Sequence, residues 1–160
     1  MDPNPFAVLS LIVAPAILTN ASSVLLMSTS NRLARAVDRA RELSKQLESA
    51  SDFSSDEAQR RIAELTAAEE RALLLLRGLR CFYIALGAFA SAALASLLGA
   101  AIAPLQPGVI VQAFEVAGVI AGLVAVAALV QGSVLLLRET RIAVQVLSER
   151  AANAIARARP

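Results

Sequence analysis

The sequence predicts an all-α integral membrane protein, and two observations support this fold class. The chain has 160 residues, of which 57% are hydrophobic, more than in an ordinary soluble domain. All 15 lysines and arginines lie within residues 31–80 and 138–160, and long apolar runs fill the rest. Because Lys and Arg are retained on the cytoplasmic side of membrane spans, we expect both basic stretches to be cytoplasmic.

Residues 6–29 are predicted to form the first transmembrane helix. A hydrocarbon core of ~30 Å takes about 20 helical residues. Pro15 lies near the middle of this run, and such a kink is tolerated where neighbouring groups satisfy the freed carbonyl. The second half is polar, with Thr19, Asn20 and Ser23. We expect these side chains to face other helices or water rather than lipid.

Residues 31–78 are predicted to form a cytoplasmic antiparallel helical hairpin. Apolar residues recur at spacings of three and four on both arms, as on one face of a helix. Residues 51–56 interrupt the pattern, and Ser54 with Glu57 forms a capping box for the second arm. Two such stripes are buried when the arms pack together.

The remaining chain is predicted to contain two further spans and a tail. Transmembrane helix 2 covers 79–103, the outer turn 104–108, transmembrane helix 3 109–137 and a cytoplasmic amphipathic helix 138–158. The N-terminus lacks the basic region of a signal peptide, so we expect the first span to be retained. The predicted location is the bacterial inner membrane, with the N-terminus outside and the hairpin and C-terminus in the cytoplasm.

Small residues at regular spacing predict close helix packing. One row repeats every four residues in the second span, and the third contains a GxxxG sequence. Small side chains let helix backbones approach closely in lipid. Either both spans pack within one subunit, or one row also joins subunits, and a second small row on span 2 favours a homo-oligomer. The predicted packing residues are Gly87, Ser91, Ala95, Gly99, Gly118 and Gly122.

Polar residues inside the spans are the candidate functional groups. An ionisable residue within a membrane is costly and counts as a functional-site hypothesis. Glu115 is the only carboxylate in 81–137; it is either a packed or pore-lining acid or a wetted residue at the outer boundary. The candidate pore or interhelical polar residues are Glu115, Asn20, Gln131, Thr19 and Ser23.

Arginines at the span ends are candidates for lipid headgroup contacts. They are Arg77, Arg80, Arg138 and Arg141. Each such contact contributes about 1 kcal/mol near an anionic surface, although retention of basic residues in the cytoplasm would by itself require arginines here.

Composition excludes several other functions. With one cysteine and no histidine, the chain has no internal disulfide, no His/Cys metal site and no Ser/His or Cys/His nucleophile pair. We therefore expect no enzyme activity, no catalytic residue and no cofactor. Residues 31–80 hold ten basic and nine acidic residues, a mixed surface that does not favour nucleic acid.

Three segments carry a family resemblance: Pro15-Ala16-Ile17-Leu18, Thr29 to Leu33, and Leu135 to Leu147. In these segments the chain resembles a bacterial family of small membrane proteins catalogued as domain of unknown function 2721. The resemblance covers most of the chain and is weakest at 51–56. It implies a three-span inner-membrane protein and assigns no activity or site residue.

Two functions remain open from the sequence. The first is a homo-oligomeric, channel-like assembly that conducts ions along a path lined by the polar residues. The second is a membrane scaffold or regulatory subunit whose hairpin binds a cytoplasmic protein. Membrane lipids and further copies of the chain are the expected partners in either case.

Overall fold

The computed structural model of the chain describes residues 5–48, 56–104 and 108–158, and side chains within 13–148 other than 15, 56 and 57. It contains three α-helices: α1 (Pro5–Glu48), α2 (Asp56–Ile102) and α3 (Val109–Ala158). The all-α class is thus confirmed. The predicted capping box and most of the turn at 51–56 lie outside the described residues.

Each helix joins an apolar sequence and a charged one without a break: α1 and α3 begin apolar and end charged, and α2 begins charged and ends apolar. The predicted boundaries at 29–31, 78–79 and 137–138 fall inside α1, α2 and α3 respectively. A helix satisfies its own backbone hydrogen bonds in lipid and in water alike. A change of side-chain polarity therefore marks a change of environment without ending the helix.

The break between α2 and α3 depends on Gly108. Its φ of 147° lies in a region that residues with a Cβ rarely adopt. The Gln112 N–H donates to the Gly108 carbonyl at 3.2 Å, which begins α3, and the Ala103 N–H donates to the Gly99 carbonyl at 3.0 Å, which ends α2.

Two helices have the length and composition of membrane spans. They are Ala58–Ile102, with a mean hydropathy of 2.0 in its most apolar stretch, and Val109–Ser148, with 2.4. Only 22% and 17% of these stretches are buried in the chain, whereas the core helix of a soluble protein would be mostly buried. The span at 6–29 stays a prediction, because side chains before residue 13 are not described.

Contacts between residues divide the chain into two units. The apolar unit comprises Met1–Met27 and Leu79–Gly132, and the charged unit comprises Ser28–Gly78 and Ser133–Pro160. All three helices contribute to each unit.

The core of the apolar unit consists of aromatic rings against small residues. Its buried cluster is Ala85, Phe89, Ala125 and Ala128, against which Leu18, Ala88 and Leu129 pack. Phe82 is also fully buried, and a Cβ on Gly132 would lie 2.7 Å from its Cε1. The absence of a side chain at Gly132 thus makes room for the ring.

Buried positions recur every seven residues along each helix. A seven-residue repeat keeps the same face of a helix against its neighbours. The series are Ser22, Thr29, Ala36 and Leu43 in α1; Ala68, Leu75, Phe82 and Phe89 in α2; and Ala125, Gly132 and Glu139 in α3. One acid, Glu139, therefore occupies a position at which the same helix otherwise places small residues.

We expect Gly132→Ala to lower the thermal unfolding midpoint of the detergent-solubilised protein. The added methyl group collides with the buried Phe82 ring, and overpacking of this kind costs about 1–3 kcal/mol. The matched control is Gly87→Ala, because a Cβ at Gly87 meets nothing within 4 Å. Equal midpoints for the two variants would contradict the packing described for Phe82.

Candidate functional site

A buried carboxylate in the charged unit is held by arginines from two other helices. Glu139 on α3 is 0% exposed. Arg71 on α2 donates from Nε to Glu139 Oε1 at 2.9 Å, and its Nη2 forms an ion pair with the same oxygen at 2.9 Å. Arg32 on α1 donates from Nη2 to Glu139 Oε2. We call Arg32, Arg71 and Glu139 the triad.

Thr140 gives Arg32 a second anchor. The Arg32 Nη2 also donates to Thr140 Oγ1 at 3.0 Å, and the Thr140 hydroxyl donates to the Leu136 carbonyl at 2.9 Å. This guanidinium is thereby fixed against two consecutive residues of α3.

In the triad the carboxylate is fully buried and the two arginines are partly exposed to solvent. The side chains of Arg32 and Arg71 are 33% and 32% exposed. Burial of a carboxylate costs several kcal/mol unless good geometry and hydrogen bonds compensate. Both oxygens of Glu139 accept charge-assisted hydrogen bonds, which are the stronger kind. The three residues together carry one net positive charge.

The spacing along the helices explains how the arginines reach Glu139. Arg32 follows the buried Thr29 by three residues and precedes Ala36 by four, and Arg71 stands in the same relation to Ala68 and Leu75. Residues three or four apart share a helix face. Both arginines therefore lie on inward faces, where their long side chains extend to α3.

Sequence reasoning missed the triad. Arg32 is one of many basic residues in a stretch that membrane topology accounts for, and Glu139 stands between Arg138 and Thr140, as a solvated acid does. The signal that identifies it is its seven-residue spacing from Gly132 and Ala125, which places the carboxylate on a buried face.

The triad lies within a part of the chain that matches a known protein family. The model of the family described as "Protein of unknown function (DUF2721)" matches residues 12–149. The chain belongs to the DUF2721 family. This confirms the family predicted from the local sequence, and the matched range contains the whole triad. No curated protein and no solved structure matches the chain.

The deepest polar residues predicted in this DUF2721 chain face outward. Asn20, Glu115 and Gln131 are exposed, and no hydrogen bond or ion pair joins their side chains to another described residue. Thr19 and Ser23 are half-buried, and the Ser23 hydroxyl donates to the Thr19 carbonyl at 3.0 Å within α1. The structure does not bring these five residues together into one cluster.

The predicted row of small residues on α2 turns from the surface into the core. Gly87 and Ser91 are exposed, Ala95 is half-buried and Gly99 is buried. A step of four residues advances about 40° beyond one full turn, so the row winds around the helix. A Cβ on Gly99 would lie 3.3 Å from the Phe114 Cβ, which brings α2 and α3 close together there.

The two glycines of the GxxxG sequence have different surroundings. A Cβ on Gly118 would lie 3.6 Å from Ser96 Oγ and 3.7 Å from the Ala95 Cβ, whereas one on Gly122 would meet nothing within 4 Å. Gly118 therefore lies at the contact with α2, and Gly122 does not.

The chemistry of the described residues is that of packing and charge. They contain no group of three or more His, Cys, Asp or Glu side chains placed to hold a metal ion. Cys81 is a free thiol of intermediate exposure. Arg77, Arg80, Arg138 and Arg141 are all exposed.

We expect Arg32→Gln/Arg71→Gln to destabilise the charged unit by about 3–5 kcal/mol, because it leaves a buried carboxylate unpaired. Adding Glu139→Gln to this double variant should restore more than half of the loss, since the uncompensated charge is then gone. Thermal unfolding in detergent measures both changes.

The control for the triad variants is Arg39→Gln. Arg39 pairs with Glu64 at 3.1 Å, but their side chains are 45% and 30% exposed, and exposed pairs contribute only about 0–1 kcal/mol. A triple variant no more stable than the double would contradict the assignment of Glu139 as a buried, paired carboxylate.

Proposed function

We propose that the DUF2721 chain is a homo-oligomeric protein of the bacterial inner membrane whose copies surround a channel-like path for ions. In this proposal α1 is a third span, the N-terminus is outside, and the charged unit, including the helical hairpin, is cytoplasmic. The observation that carries the proposal is the outward placement of Asn20 and Gln131, two amides whose side chains have no partner among the described residues.

Gln131 lies among exposed apolar side chains of α3, and this favours a neighbouring copy. Val124, Val130 and Val134 of the same helix are 49%, 57% and 42% exposed, so the amide belongs to an apolar surface. Moving an amide from water to hydrocarbon without a hydrogen bond costs about 4–8 kcal/mol. A second copy, or water enclosed between copies, removes this penalty.

The packing within one chain favours a path between copies. Phe82 and Phe89, 0% and 2% exposed, fill the core of the apolar unit. Identical subunits that close into a cyclic ring would enclose a path between copies. An exposed Glu115 on each copy would form a ring of carboxylates, which favours cations.

The distribution of arginine supports the orientation. Ten basic residues lie within 31–80 and five within 138–160, and the charged unit contains nearly all of both stretches. By the positive-inside rule this unit is cytoplasmic, which leaves the loop between α2 and α3 outside.

A second candidate function is a scaffold or regulatory subunit that binds a cytoplasmic protein. The observation that favours it is an uncovered apolar pair on α3 in the charged unit: Val144 and Leu147 are 60% and 67% exposed. The triad would hold these residues on a fixed surface. This function requires no path across the membrane.

We expect the purified protein in lipid nanodiscs to have one closed stoichiometry of roughly four copies or more, measured as mass. In vesicles it should pass monovalent cations, and Glu115→Gln should lower the cation-to-anion permeability ratio severalfold, because the ring of charge is lost. The matched control is Gln112→Asn, a conservative change at another exposed residue near the same end of α3.

A monomer in nanodiscs, or vesicles that pass no ions, would contradict the channel-like function. In that case loss of a bound cytoplasmic protein on Leu147→Gln would support the scaffold function.

A further inference from the structure

Arginines are concentrated in the three stretches of the charged unit that adjoin the apolar runs. The stretches 28–37, 71–78 and 133–142 contain six arginines and one acid, Glu139, a formal charge of +5 (6 − 1). Further acids begin immediately outside them, at Asp38 and Glu70. Within residues 28–78 an excess of positive over negative charge is thus confined to the two ends that adjoin the apolar runs.

The triad shows that these stretches lie side by side. Its contacts place Arg32, Arg71 and Glu139 at one level of the charged unit. Four further arginines of this unit lie one to six residues from a member of the triad, which is within about 9 Å along the helix axes at 1.5 Å per residue. We call these four the arginine belt: Arg35, Arg77, Arg138 and Arg141.

The belt is exposed, and no described acid neutralises its charge. All four side chains are exposed, and none has an ion pair with a described residue. Glu139, the only acid in the three stretches, is buried and already bound by Arg32 and Arg71. Farther along the same unit Arg39 does pair with Glu64, at 3.1 Å.

We infer that the arginine belt binds the phosphate groups of anionic lipids in the cytoplasmic leaflet. Guanidinium groups match phosphate oxygens in charge and in fork geometry. Each basic residue near an anionic surface contributes roughly fivefold in affinity. Membrane topology explains why arginines stay on this side, but it does not require that they lack acidic partners in the folded unit. The inference rests on α2 and α3 crossing the membrane and is independent of the number of copies.

The test compares the lipid retained by the wild-type protein, by a variant that lacks two belt arginines, and by a control variant that lacks two arginines elsewhere. Protein is reconstituted into phosphatidylcholine vesicles with roughly a tenth phosphatidylglycerol, re-extracted into detergent, and its bound lipid counted by native mass spectrometry. We expect phosphatidylglycerol to be enriched several-fold, and Arg138→Gln/Arg141→Gln to lower its apparent affinity by roughly 10- to 30-fold.

The control is Arg41→Gln/Arg60→Gln, which removes two exposed arginines of the same unit outside the three stretches. It should retain phosphatidylglycerol as the wild type does, and Arg138→Lys/Arg141→Lys, which keeps the charge, should restore most of the binding.

Three outcomes would overturn the inference. One is no preference of the wild type for phosphatidylglycerol over phosphatidylcholine, and another is an equal loss in the control. The third is complete displacement of the lipid by millimolar inorganic phosphate, which would make the free ion the ligand. Because lipid counts are normalised to each copy of the chain, failure of the proposed oligomer leaves the result readable.

Discussion

A buried carboxylate is stable only when it is paired with a cation. In the charged unit Glu139 is paired with two, Arg32 of α1 and Arg71 of α2. Removing one partner of a buried ion pair leaves an uncompensated charge, which destabilises the fold strongly. Displacement of α1 or α2 along its axis would withdraw an arginine from Glu139. The triad therefore ties α1 and α2 to one residue of α3 and fixes the register of the three helices in this unit.

The apolar unit is held by contact rather than by charge. In lipid, burial of an apolar side chain gains little, so association depends on close packing and on small residues. The Phe82 ring against Gly132 and the approach of Phe114 to Gly99 are contacts of this kind. These contacts use the inward faces of the helices, and the side chains of Asn20 and Gln131 lie on the exposed faces.

Much of the fold could be predicted from the sequence, and the central site could not. The long apolar runs and the helical spacing of the charged stretches predict the all-α class, and the breaks near 51–56 and 104–108 predict where the helices end, without knowledge of their contacts. The neighbours of Glu139 are polar, so composition predicts a solvated acid, whereas its side chain is buried. Only contacts between residues 68 and 107 positions apart, Arg71–Glu139 and Arg32–Glu139, reveal its role. Likewise, the four-residue spacing of the small residues from Gly87 to Gly99 does not predict which of them are buried.

The claim that the triad holds three helices in register is tested most directly by hydrogen exchange. Backbone amides of 28–37, 71–78 and 133–142 would be followed in lipid nanodiscs for the wild type and for Arg32→Gln/Arg71→Gln. The account predicts that protection falls together in all three stretches of the variant, because each helix loses the same anchor. A fall confined to α1 and α2, or unchanged protection, would contradict it.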